Sequence, residues 1–89
     1  MLVQMERVIS MALIYPESFD RIDKYRNTVH KPATAAFTVF ELNGKKYFQI
    51  DTFGTTERVM PEKISQSIQI DKKMAEKLVD LLRQEFSID

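Results

Sequence analysis

Polar and apolar positions alternate most regularly in the middle of the chain. Residues 36–42 and 45–53 are rich in β-branched and aromatic side chains, and Asn43-Gly44 separates them. Asn-Gly supplies the two positive-φ residues of a type I′ turn, which predicts a hairpin and fixes its register. Leu42 then opposes Lys45, Glu41 opposes Lys46, Phe40 opposes Tyr47, Val39 opposes Phe48, Thr38 opposes Gln49 and Phe37 opposes Ile50. Opposed residues share a face. One face carries Phe37, Val39, Phe48, Ile50 and Thr52, with a Glu41–Lys46 pair beside the turn. The other carries Thr38, Phe40, Leu42, Lys45, Tyr47, Gln49, Asp51 and Phe53, part aromatic and part polar. We refer to them as the apolar face and the mixed face.

Beyond Gly54, residues 56–60 read as a short strand that Pro61 ends, and 64–70 as a further strand. Asp71 is a good N-cap for a helix over about 71–86. There Met74, Ala75, Leu78, Val79, Leu81, Leu82 and Phe86 form a broad apolar stripe opposite Lys72, Lys73, Glu76, Lys77, Asp80, Arg83 and Gln84. Before the hairpin, Pro16 suits a first helical turn, and Phe19, Ile22 and Tyr25/Arg26 continue at helical spacing, predicting a helix over about 16–27. Residues 1–15 read as an extension or as a helical or strand arm, with 8–15 the part most like a strand. The expected fold is α+β in a single domain, 1–89. An antiparallel sheet of three to four strands is built on the Asn43-Gly44 hairpin and preceded by an N-terminal helix. The long C-terminal helix is expected on the apolar face.

Composition narrows the chemistry. The 89 residues include no Cys, which excludes a thiolate nucleophile, a disulfide framework and Cys-ligated zinc or iron–sulfur sites. A single His provides no His-rich metal site, and no metal or cofactor is expected. Thirteen Lys+Arg balance thirteen Asp+Glu, and no third of the chain departs far from neutrality. That balance lacks the broad basic footprint of a strong sequence-blind DNA binder. There is no apolar run long enough to span a bilayer, and the start lacks the basic-then-apolar layout of a signal peptide, so a cytoplasmic protein is expected. A small core and a leftover aromatic face both favour a homodimer.

Two groups of residues could carry function. Phe40, Tyr47 and Phe53 lie on the mixed face with Gln49, and Ser65, Ser67 and Gln69 extend it. Aromatic rings beside amides and hydroxyls are how sheet surfaces stack and hydrogen-bond the bases of single-stranded nucleic acid. Lys45, Lys46, Arg58 and Lys63 would form a thin phosphate-contacting rim. The same aromatics would equally bury an unidentified protein partner, and lysines near a turn also keep a sheet edge soluble. Asp51, Glu57, Arg58, Glu62 and Lys63 superficially match an acidic-then-lysine nuclease spacing, but Pro61 and a loop divide them. His30 has no partner residue at a recognisable spacing and reads as an exposed loop residue, so no catalysis is expected.

The stretch Tyr47-Phe48-Gln49-Ile50-Asp51-Thr52-Phe53-Gly54, then Arg58, then Ser65-Gln66-Ser67-Ile68-Gln69-Ile70-Asp71, resembles a family of short bacterial proteins. It covers about half the chain and implies no activity. Some members bear a methionyl-tRNA formyltransferase name, but no folate or formyl-transfer motif is present here. The strand meander ending in one helix, with Lys63-Ile64-Ser65 leading into the last strand, is similar to positive cofactor four and Whirly-type single-stranded DNA-binding domains. That resemblance implies a dimeric nucleic-acid module. The present chain departs from it in being neutral, in a longer last strand and in a helix without Trp.

Overall fold

The structure, a computed structural model, describes residues 10–53 and 64–89. In order these form strand β1 (Ser10–Ile14), a single 3-10 turn (Pro16–Ser18), strands β2 (Thr34–Leu42), β3 (Lys45–Phe53) and β4 (Ile64–Ile70), and helix α1 (Lys72–Phe86). The expected strand at 56–60 and the residues before Ser10 lie outside the described residues.

The hairpin forms as its turn dictates. Asn43 and Gly44 both take positive φ, 54° and 80°, and the register runs from Leu42↔Lys45 through Phe37↔Ile50 to Thr34↔Phe53. Strand β4 pairs antiparallel with β3, Ile68 opposite Ile50 and Gln69 opposite Gln49. Near its start the register shifts at Thr52/Phe53, and Ser65 is left between the paired positions Ile64 and Gln66. Helix α1 begins where expected. The Asp71 carboxylate accepts the Met74 backbone N–H at 3.0 Å, and Ser87, in the left-handed region at φ 54°, closes the other end with its N–H on the Arg83 carbonyl.

Three expectations need correction. The sheet is mixed rather than antiparallel: its order is β1-β4-β3-β2, and β1 runs parallel to β4, Ala12 opposite Ile68. Of the segment at 8–15 that reads most like a strand, Ser10–Ile14 forms one and takes the free edge of β4. No helix spans 16–27. After one turn, whose single closing bond is Ser18 N–H to the Tyr15 carbonyl, the chain runs from Phe19 to Ala33 without helix or strand. The Lys77 ammonium donates to the carbonyls of Pro16 and Phe19 at 2.7 and 2.8 Å and lies 5.8 Å from the Phe19 ring centroid. Those carbonyls are the acceptors that continued helix would need, so a tertiary contact ends the turn that Pro16 starts.

The third correction concerns the helix and the apolar face. Alternation and register put Ala12, Ile14, Phe37, Val39, Phe48, Ile50, Ile68 and Ile70 on one side of the sheet. Phe37 and Phe48 stack there, centroids 5.0 Å apart. Helix α1 meets this side at one end, where Ala75 lines a cleft of about 300 Å³ with Val39, Phe48 and Ile70. The rest stays open: Phe37 is 64% exposed, Val39 51% and Ile50 39%, and on the helix Val79 is 45%, Leu82 42% and Phe86 70% exposed. Met74 is the one fully buried apolar side chain among the described residues. A helix fifteen residues long, engaged on its Lys77, Leu81 and Glu85 side by the 16–21 segment, leaves the far half of a four-strand sheet uncovered.

Candidate nucleic-acid interface

Strand alternation and the β3–β4 register gather the mixed face. Phe40 on β2 and Tyr47 on β3 are directly opposed, and their rings stack with centroids 5.4 Å apart at 25°. Each ring therefore gives one side to the other, which holds both on the sheet and fixes their remaining surface. Next along β3 lies Gln49, opposite Gln69 of β4. Gln69 Nε2 donates to Gln49 Oε1 at 2.7 Å, and Gln49 Nε2 donates to the two Asp51 carboxylate oxygens at 3.0 and 3.2 Å. The amides thus form a directed chain that ends on a carboxylate, and this orients the Gln49 side chain. Ser67, opposite Asp51, completes the polar strip. Strand β1 widens it on the other side: Met11, Leu13, Gln49, Ser67 and Gln69 border one cleft of about 250 Å³. β1 therefore extends this face in the plane of the sheet and does not cover it.

Phe40, Tyr47, Gln49, Ser67 and Gln69 come together as the sequence predicts. Phe53 falls on the same side by alternation, but it is six residues from Tyr47, roughly 20 Å along a strand, so the two cannot contact one base. Ser65 leaves the group. It sits at the register shift, its Oγ 3.3 Å from Thr52 Oγ1 and donating to the Thr52 carbonyl at 3.4 Å. Arg58 and Lys63 lie outside the described residues. Of the nuclease-like set only Asp51 is described, and no group of three metal-ligating side chains occurs among the described residues. His30 is exposed in the extended 19–33 stretch.

Lys45 and Lys46 gain company that the sequence reading missed. Because β4 runs antiparallel to β3, its last residue delivers the start of α1 to the hairpin end. Lys72 and Lys73 line a cleft of about 580 Å³ there with Lys45, Lys46, Tyr15 and Gly44. Asp71 and Glu17 share it. The Lys45 ammonium lies 3.6 Å from Asp71 Oδ2. The Met74 backbone N–H foremost, and Lys45 after it, hold the Asp71 carboxyl below the usual aspartate range, while partial desolvation opposes them. The signal for this cluster was present: pairing 64–70 with 45–53 in antiparallel register puts Lys72-Lys73 beside Lys45-Lys46.

Comparison with family models, curated proteins and solved structures returned no match. Among the described residues no helix is long and apolar enough to cross a membrane.

Proposed function

We propose that this chain is a non-enzymatic module that binds single-stranded nucleic acid across the mixed face. What carries the proposal is the stacked Phe40–Tyr47 pair beside the Gln69–Gln49–Asp51 chain, with a lysine cluster at the adjoining hairpin end. Tyr47 offers a ring for a base to stack on, buttressed by Phe40. Gln49, Gln69 and Ser67 present amide and hydroxyl groups to base edges. Lys45, Lys46, Lys72 and Lys73 would hold phosphates. Asp51 sets a direction: its negative charge keeps the backbone away from the far end of the face, so phosphates belong at the hairpin end. Phe53 and Ser65 are peripheral to this arrangement, and the likeness to positive cofactor four and Whirly-type domains enters only as a similar order of strands and helix.

An anisotropy titration with labelled single-stranded DNA and RNA oligonucleotides at two salt concentrations tests this. Four lysines, one of them paired with Asp71, limit the salt slope to about −3 or shallower, at about −0.7 per neutralised phosphate. Binding with such a slope, weakened in Tyr47→Ala, is the expected result. Binding that is absent at low salt, or indifferent to Tyr47→Ala, overturns it. One observation favours a second class, a protein-interaction subunit. Strand β2 is a nine-residue edge strand, exposed throughout and without Pro, open to a partner's strand.

A further inference from the structure

The lysine cleft lies where the mixed face ends. Strand β3 begins at Lys45, directly after the Asn43-Gly44 turn, and β4 passes into α1 at the same end of the sheet. Lys45 and Tyr47 are two residues apart on β3, roughly 7 Å along that face. A base stacked on Tyr47 therefore brings its own phosphate to the mouth of the cleft. On the hairpin side of Tyr47 the sheet offers only the Leu42–Lys45 pair and then the turn. A strand laid from Gln49 towards the turn thus reaches its last stacking place at Tyr47.

The positive charge is gathered at that point and not strung along the face. A groove that tracks a backbone spreads its cations beside successive phosphates. Here Lys45, Lys46, Lys72 and Lys73 line one volume of about 580 Å³. Glu17 and Asp71 share it, so four positive charges stand against two negative ones and an excess of two remains. An internal phosphodiester carries a single negative charge. A phosphomonoester carries about 1.5 to 2 at pH 7 and offers three strong acceptor oxygens.

Two of these lysines stand where folding does not favour them. Lys72 and Lys73 open α1 at the positive end of its macrodipole, and its first turn contains no acid. Both side chains are exposed, so no packing offsets the repulsion. An anion in the cleft would offset it.

We propose that the cleft holds a terminal phosphomonoester, the phosphorylated end of a single strand whose last base stacks on Tyr47. This rests on the nucleic-acid reading above and adds which part of the strand the lysines recognise. A nucleoside monophosphate carries the same group, but it reaches only Tyr47 and leaves the Gln49–Gln69 strip empty.

Anisotropy titrations of the full chain decide it. They use internally labelled oligonucleotides of one sequence, unphosphorylated or phosphorylated at one end or the other, with an unlabelled nucleoside monophosphate as competitor. Phosphate at one end only is expected to tighten binding about three- to tenfold, as a few exposed ion pairs would, and the gain should shrink as salt rises. Lys72→Gln combined with Lys73→Gln should bring the ratio of phosphorylated to unphosphorylated affinity to about one. Its melting temperature should stay at or above that of wild type, since the repulsion at the helix start is relieved. Equal affinity for all three oligonucleotides, or an equal gain at both ends, overturns the proposal and leaves the nucleic-acid reading standing. A preference that survives the double variant also overturns it, because the phosphate then sits elsewhere. Displacement by the monophosphate as effective as by the phosphorylated strand would make the ligand a free nucleotide and overturn the strand-end assignment. Failure to bind any oligonucleotide overturns both readings.

Discussion

The two faces of one sheet are built from the same four strands and differ in how their side chains are satisfied. On the mixed face the polar groups settle one another: Gln69 donates to Gln49 and Gln49 to Asp51, while Phe40 and Tyr47 stack. Its polar groups are paired within one chain, while Leu42 and Met11 at its margins stay exposed. On the apolar face Phe37 and Phe48 stack, yet Phe37 and Val39 remain more than half exposed and α1 reaches only the Ile70 corner. Hydrogen bonds close locally between neighbouring side chains, whereas apolar area is removed from water only by covering it. The difference shows where this chain satisfies its own groups and where it leaves apolar area open.

The largest effect should come from Met74, the one apolar side chain fully covered among the described residues. Met74→Ala is expected to cost about 2–5 kcal/mol, enough to unfold most of a marginal domain, and a urea titration measures it. The comparison sharpens at Ile50. Within a single chain Ile50→Ala should cost well under that, because the side chain is partly exposed already. A cost that approaches the Met74 value would mean that the side chain is covered, and would restore the two faces to equal standing.

Tyr47→Ala removes the stacking ring of the mixed face. It should weaken oligonucleotide affinity by about 1–3 kcal/mol, roughly five- to a hundredfold, read by anisotropy. Its effect on melting should be smaller than that of Met74→Ala. Lys77→Met removes the ammonium that holds the Pro16 and Phe19 carbonyls and keeps most of the aliphatic stem. A loss of about 1–3 kcal/mol in thermal or urea unfolding is expected, with faster amide exchange at residues 16–19. An unchanged midpoint would show that the 16–21 segment does not brace α1.

The smallest effect belongs to Asp71. Its folded carboxyl titrates below its unfolded value, so the stabilisation it gives is fully present above about pH 4 and is lost as pH falls through the lower folded value. Melting temperatures of wild type and Asp71→Asn should therefore differ at pH 6 and converge near pH 2. A gap that persists at low pH would mean that the cap's charge contributes nothing.

What was legible in the sequence was what local chemistry decides. Asn43-Gly44 set every pair of the hairpin, and Asp71 with the 74–86 stripe set the helix and its cap. Phe40, Tyr47, Gln49, Ser67 and Gln69 could be gathered because alternation and register are arithmetic. What escaped depended on distant partners. Phe19 and Ile22 had helical spacing, but Lys77, far along the chain, took the carbonyls that a helix would have used. Strand β1 had an ambiguous pattern, and its place was set by the vacant edge of β4. The Lys72-Lys73 contribution emerged only when strand direction was followed to its end.

Strand β1 also has a consequence for how the chain reaches this fold. Its pairing joins Ser10 to Gln66, about 56 residues apart, whereas β2, β3, β4 and α1 follow one another along the chain. Closing so long a loop costs entropy before any of its contacts repay it. The hairpin should therefore nucleate, β4 and α1 should add to it, and β1 should dock last. Until it does, β4 is a bare edge with Ile68 and Ile70 on one side and an amide-rich strip on the other. The interval before β1 arrives is when newly made chains are most exposed to strand-to-strand aggregation.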